Sequence, residues 1–327
     1  MSIETLQNKE INPQQFLKEV RVFAPGTVAN MNCGFDILGL AVYGPGDEVI
    51  MRSSSIIGVR VLKITGDDGK LPLDAEKNTV SFSVIQILKD LGLEDKIGVE
   101  IELHKKMPIG SGLGSSSAST VAGVFAINEL LGKPLTKDEL LPYCLQGELL
   151  ACGTAHADNV APALYGGITL IESYDPIYIR HLPVPQDLYV ALIYPAVDVP
   201  TKEARKLIRN KVPLENVVQQ TGHIAGLVAS LYESDYEGIR RNMKDEIIEP
   251  SRSLLIPAFD KMKEMALEEG ALTFGISGSG PSVVALTTSE VVAQNIVNKI
   301  QNHLAANEVN SFVYVSKINQ EGPSVIQ

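Results

Sequence analysis

Between Pro108 and Ser119 the chain reads PIGSGLGSSSAS, alternating glycines followed by consecutive serines. Gly110, Gly112 and Gly114 tolerate backbone angles that a Cβ disfavours, so successive amides can converge on one anion. Ser115, Ser116 and Ser117 add hydroxyls, and the following STVAGVFAINELLG reads as an apolar helix closed by Gly132. A helix starting there directs unbonded N–H groups and a positive dipole end at the loop. The chemistry is phosphate binding without a lysine in the loop, since neither GxxxxGK[ST] nor GxGxxG is present. A Gly/Ser string alone is more often a flexible turn. The strand-like Val99–Leu103 before it, and a second glycine-serine loop at Gly275–Val283 (GISGSGPSV), favour the anion site.

Other polar groups cluster in GELLACGTAHADNVAPALYGG, Gly147 to Gly167, which gathers Glu148, His156, Asp158 and Asn159 around a turn. Magnesium needs only one or two protein carboxylates beside phosphate oxygens and water, a role open to Glu148 with the Ser116 hydroxyl. The alternative is a capped turn with a satisfied histidine. Asn30, Asn32 and Asp36 lie close together in NMNCGFD, where they suit either a ligand ammonium or a turn. Arg205 and Arg252 carry forks that could clamp a carboxylate, and each also reads as a surface arginine.

The elements that must position these groups are set by periodicity. Strands are expected at Val20–Ala24, within Val49–Ile64, and at Val99–Leu103, Ile168–Glu172, Leu188–Tyr194, Leu272–Ile276, Ser282–Thr287 and Ser311–Val315. Helices are expected at Val80–Leu91, after the first loop, at Leu135–Leu150 with Thr136 and Glu139 as a capping box, from Thr201, over Leu214–Leu231 and over Pro257–Glu269. At 327 residues the chain fits two α+β domains. Residues 1–19 form a polar N-terminal extension with a short helix expected around Pro13–Glu19. The net charge of −11 argues against non-specific nucleic-acid binding. No stretch approaches the ~20 apolar residues of a membrane span, and no secretory signal is visible. Three cysteines without CxxC fit reduced thiols in the cytoplasm, and the scattered histidines give no zinc spacing.

At these motifs the sequence resembles the GHMP kinase superfamily, and within it the homoserine kinase family. APGTVANMNCGFD, PIGSGLGSSSAS and GISGSGPSV occur in the expected order, and GTAHADNVAPALYGG and IIEPSRSLLIPAFDKM are the more specific segments. The resemblance runs from about Val20 to Thr287. It implies a two-domain α+β fold: an ATP-binding domain like ribosomal protein S5 domain 2 over 20–173, then a ferredoxin-like domain over 174–327. It implies transfer of phosphate from ATP to the side-chain hydroxyl of L-homoserine, for threonine synthesis.

By the same resemblance Pro108, Ile109, Gly110, Ser111, Gly112, Leu113, Gly114, Ser115, Ser116 and Ser117 wrap the ATP phosphates, and Asn78 lies near the nucleoside. Ser116 and Glu148 hold Mg²⁺. Asn30, Asp36 and Asp158 surround the substrate amino group, His156, Arg205 and Arg252 its carboxylate. Thr201 lies nearby, Asn159 faces the reacting hydroxyl, and Gly275–Ser282 forms the floor. A homodimer is part of the implication.

Departures are visible. Asn32 and Cys33 stand where glycine and proline are common, and Ser117 replaces a frequent alanine. Asn159 occupies the place of an aspartate base in mevalonate-kinase-like relatives, and asparagine cannot take up a full proton at neutral pH, so its expected part is to position. The rival readings are a GHMP kinase for another alcohol, a non-catalytic nucleotide-binding regulator, and a phosphate-dependent decarboxylase of the same superfamily.

Overall fold

Alternation along the strands and apolar helix faces build two sheets with helices packed against them. The structure, a computed structural model, describes residues 9, 11, 13–197, 207–208 and 211–327. In the first half β1 (Glu19–Ala29), β2 (Leu38–Ser54), β3 (Gly58–Thr65), β4 (Gly98–His104), β5 (Ile168–Tyr174) and β6 (Ile177–Leu182) are accompanied by α1 (Thr79–Asp90), α2 (Ser115–Leu130), α3 (Lys137–Cys152) and α4 (Ala157–Tyr165). The second half contains β7 (Tyr189–Pro195), α5 (Leu214–Glu233), α6 (Tyr236–Asn242), α7 (Glu249–Arg252), α8 (Phe259–Glu268), β8 (Thr273–Ile276), β9 (Val283–Thr287), α9 (Glu290–Ala306), β10 (Ser311–Lys317) and β11 (Ser324–Val325).

The first sheet runs β11-β1-β2-β4-β3, and β5 branches from the far end of β2 with β6 beside it. All its pairings are antiparallel except β3 with β4. The second sheet runs β10-β7-β9-β8, entirely antiparallel, the strand order of a ferredoxin-like unit. Position 173/174, the expected domain boundary, falls in the β5–β6 hairpin, and the change of sheet comes between Leu182 and Tyr189.

Side-chain alternation joins the two halves. Val190, Leu192, Val284 and Leu286 point into the large core shared with the first sheet. Ala191, Ile193, Val283 and Ala285 point the other way, onto α8 and α9 through Met262, Ala266, Ile296 and Ile300. A strand buried on both faces reads as a continuous apolar run, as LIYP and VVAL do.

Two helix starts match their sequence signals. Thr136 and Glu139 form the reciprocal capping box of α3, and Asn78 caps α1 by accepting from the Val80 N–H. Helix α2 is buried at every residue except Ser116 and Phe125, as a helix apolar all round must be. The short N-terminal helix is present but limited to one 3₁₀ turn at Pro13–Gln15, and β1 begins already at Glu19. The helix expected from Thr201 lies outside the described residues. Cys33 and Cys144 are buried free thiols; burial pushes the Cys33 thiol up to about 12.

Candidate active site

The first glycine loop takes its shape from the chain behind it. Gly110, Gly112 and Gly114 all have left-handed φ, at 72°, 82° and 66°. A Cβ on Gly112 would lie 2.6 Å from the Ser277 carbonyl oxygen, and one on Gly114 would lie 1.9 Å from Thr27 Oγ1. The three motifs therefore meet at close range. Ser277 donates its hydroxyl to the Gly112 carbonyl at 2.7 Å, the Ser282 N–H bonds Ser111 O, and Thr27 N–H bonds Leu113 O.

In front of the loop opens a cavity of about 460 Å³. Ile109, Gly110, Ser111, Gly112, Gly114, Ser115, Ser116 and Ser117 line it, together with Asn30, Asp36, Asn78, Glu148, His156, Asp158, Asn159 and Arg252. Residues expected at one site from segments scattered between 30 and 252 are thus brought together. Two of the loop's members are not on this wall. Leu113 is buried in the core, and Pro108 borders a separate cleft behind the loop. Thr201 and Arg205 lie outside the described residues.

Several of these side chains are committed to the protein itself. Asn30 donates from Nδ2 to the Gly278 carbonyl and accepts at Oδ1 from the Asp36 N–H, so it braces the first motif on the third. Asn78 uses Oδ1 as the α1 cap and Nδ2 on Pro72 O. Glu148 accepts from the Ser117 hydroxyl at 2.9 Å; Ser116, expected to share a magnesium ion with Glu148, lines the same cavity. Asp36 sits 3.7 Å from His156 Nδ1. Two groups expected at opposite ends of a zwitterion are therefore neighbours.

Arg252 is held from two sides. Its guanidinium lies 5.1 Å from the centre of the Phe35 ring and donates to Gly278 O at 3.0 Å. Short helix α7 presents it, and Asp245 holds that helix start by accepting from the N–H groups of Ile247, Ile248 and Glu249. Burial raises the Asp245 carboxyl above its ordinary value against the pull of those donors.

Two groups next to the site escaped the sequence reading. Lys105, directly after β4, is a buried lysine beneath the loop. Its ammonium pairs with Asp47 and donates to Ser115 O at 2.8 Å and Ser119 Oγ at 2.7 Å, beneath the start of α2. Burial pushes it below the usual lysine range while Asp47 opposes the shift. Asp47 also accepts from the N–H groups of Lys106 and Met107, so the pair fixes the entry to the loop. The pair follows from the β2–β4 register, where Glu48 faces His104 and Asp47 therefore comes beside Lys105. Thr27 is the second; its hydroxyl donates to Asn159 Oδ1 at 2.7 Å.

The donor set fits a magnesium ion accompanied by phosphate. Glu148 offers a buried carboxylate at the cavity wall and Ser116 a hydroxyl. Among the described residues no cluster of His, Cys, Asp and Glu forms an all-protein metal cage, and Mg²⁺ needs none when it shares a nucleotide's oxygens.

Comparison with known proteins identifies the family. The family models for the GHMP kinase N-terminal domain and the GHMP kinase C-terminal region match residues 78–167 and 227–306. A homoserine kinase of Chlorobium phaeobacteroides is 42% identical over 95% of this chain and 100% of its own. The crystal structure of homoserine kinase from Cytophaga hutchinsonii superposes with a TM-score of 0.93 at 55% identity, covering 97% of this chain and 100% of that one. The L. major mevalonate kinase, solved in complex with R-mevalonate, shares the fold at a TM-score of 0.70 and 16% identity, with 90% of this chain and 95% of that one covered. The chain belongs to the homoserine kinase family of the GHMP kinases.

Proposed function

We propose that this chain transfers the γ-phosphoryl group of ATP to the side-chain hydroxyl of L-homoserine, giving O-phospho-L-homoserine for threonine biosynthesis. The observation that carries the reading is one cavity walled on one side by the glycine loop at the α2 N-terminus and on the other by Asp36, Asp158 and Arg252. The first wall suits phosphates, because loop amides and a helix start are preorganised donors. The second suits a zwitterion, with carboxylates for an ammonium and a fork for a carboxylate.

Within this reading Gly110 to Ser117 hold the ATP phosphates, Asn78 borders the nucleoside, and Ser116 and Glu148 hold Mg²⁺. The ion neutralises charge on the phosphoryl oxygens when bound. Asn30, Asp36 and Asp158 enclose the amino group, and His156 and Arg252, joined by Arg205 and Thr201, the carboxylate. Phosphoryl transfer through a loose transition state depends on alignment and charge stabilisation more than on early deprotonation. Asn159 accordingly serves as a positioning group rather than a base. The division into an ATP-binding half and a ferredoxin-like half, a homodimer and a cytoplasmic setting belong to the same reading. No helix among the described residues is long and apolar enough to cross a membrane.

The test is coupled ADP release with Mg-ATP and L-homoserine, D-homoserine, L-serine, L-threonine, mevalonate and galactose. Turnover concentrated on L-homoserine is expected. Faster turnover of mevalonate or galactose would replace the proposal with a kinase of another alcohol, and nucleotide binding without turnover would replace it with a regulator.

A further inference from the structure

Thr27 stands where the β1–β2 register shifts, between Pro25 and Thr27, and only 1% of it is exposed. It touches two separate segments, the glycine loop at Leu113–Gly114 and α4 at Asn159. Its N–H bonds Leu113 O at 3.0 Å, its Oγ1 donates to Asn159 Oδ1 at 2.7 Å, and it packs on Gly114. A Cβ on Gly114 would come 1.9 Å from Thr27 Oγ1 and 2.8 Å from Asn159 Oδ1. Hydroxyl and amide oxygen are thus pressed together against the last residue of the glycine loop, where only glycine fits.

An asparagine amide has two ends of opposite character, an acceptor oxygen and a donor NH₂. In Asn159 the oxygen is committed to the Thr27 hydroxyl. The nitrogen takes no hydrogen bond among the described residues, and the side chain borders the cavity. We propose that Thr27 is a positioning residue that fixes the Asn159 amide with its oxygen turned inward and its NH₂ toward the cavity, so that Asn159 acts on the reacting groups only as a donor. This inference rests on the phosphoryl-transfer reading of the cavity. What meets Asn159 must then be an acceptor: a lone pair of the substrate hydroxyl oxygen, or an oxygen of the transferring phosphoryl group. An NH₂ on the hydroxyl oxygen orients that oxygen while leaving its proton free to point elsewhere. Without Thr27 the amide could turn over and offer its oxygen to the hydroxyl proton, which rotates the nucleophile's lone pairs away.

The experiment is a double-mutant cycle with a spectroscopic control. Thr27→Val, nearly isosteric and without the hydroxyl, should lower kcat roughly tenfold with both KM values little changed. Thr27→Ser should stay close to the unmodified protein. In an Asn159→Ala background Thr27→Val should have no further effect, because a residue acting through Asn159 has nothing left to act on. An equal loss in both backgrounds, or no loss from Thr27→Val, would overturn the proposal. The side-chain amide of Asn159, identified in ¹⁵N–¹H spectra by its absence in Asn159→Ala, should shift when L-homoserine and a magnesium complex of a non-hydrolysable ATP analogue are added together to the unmodified protein. An unmoved signal would also overturn it. If the unmodified protein phosphorylates no alcohol, the functional reading fails by itself, and the amide spectrum still decides how Asn159 is held.

Discussion

The two glycine-serine loops, 108–117 and 275–282, have nearly the same composition and meet at the same cavity, yet they are built for different tasks. The first opens into α2, and its glycines and serines form the cavity wall. The second opens into β9 and serves chiefly as a brace: Ser277 and Ser282 tie Gly112 and Ser111, and the Gly278 carbonyl receives both Asn30 and Arg252. The difference lies in the element that each loop leads into. A helix start leaves several N–H groups without intrahelical partners, a ready anion site, whereas a strand start passes its N–H groups to the neighbouring strand. Glycine content grants conformational freedom, and the next element decides its use.

The comparison can be broken hardest from beneath the first loop. Lys105→Met would leave Asp47 buried without its counter-charge and should cost about 3–5 kcal/mol in denaturant unfolding. Adding Asp47→Asn, which removes the charge and keeps an acceptor for the Lys106 and Met107 N–H groups, should return much of that loss; a double variant no better than the single would mean that the unpaired charge is not the source of the cost.

Gly112→Ala attacks the seam between the loops. A side chain there meets Ser277 and Gly280 carbonyl oxygens at 2.6 and 2.8 Å, adding overpacking of about 1–3 kcal/mol to the left-handed strain. Gly110→Ala has the same handedness but nothing within 4 Å, so only the strain, about 1–2 kcal/mol, should appear. Equal melting temperatures for the two variants would show that the seam yields freely. Next comes Arg252→Leu, read in steady-state kinetics. Losing a buried charged contact costs about 2–5 kcal/mol, and the KM for L-homoserine should rise far more than that for ATP. Comparable rises would make Arg252 a structural prop of the second loop. The smallest effect is expected from Ser277→Ala, which removes one hydrogen bond worth about 1 kcal/mol. It should raise the ATP KM slightly through Gly112, and a change confined to the homoserine KM would assign the brace to the other wall.

Most of the site was legible because its residues sit in strings whose local chemistry is self-announcing. PIGSGLGSSSAS shows its glycine freedom and its helix start without any partner, and the Thr136–Glu139 box needs only four residues. The Asp47–Lys105 pair was invisible because it depends on strand register across 58 positions. Thr27 stood inside a recognised motif, but its target lies 132 residues away. The Ser117–Glu148 hydrogen bond was not foreseen either: neighbouring serines on a helix point in different directions, and Ser117 is the one turned inward onto Glu148 while Ser116 is left facing the cavity. Helix α9 was passed over although Ser289 caps it and Ala293, Ile296, Val297, Ile300 and Leu304 give it a helical apolar stripe. Strand β6, with its solvent-facing alternation, and the two-residue β11 carry too little apolar pattern to announce themselves.

Strand β11 has a consequence for how the molecule is made. Val325 and Ser324 pair with Val22 and Phe23 on the open side of β1, and just before them Asn319 bonds Ala41 and Gly167. During synthesis β1 emerges about three hundred residues before these partners, and chains usually fold domain by domain as they appear. Here the edge of β1 stays uncovered, a template for unwanted pairing, until the segment 318–325 has left the ribosome. The first half must therefore wait for the second to be translated before its sheet is complete.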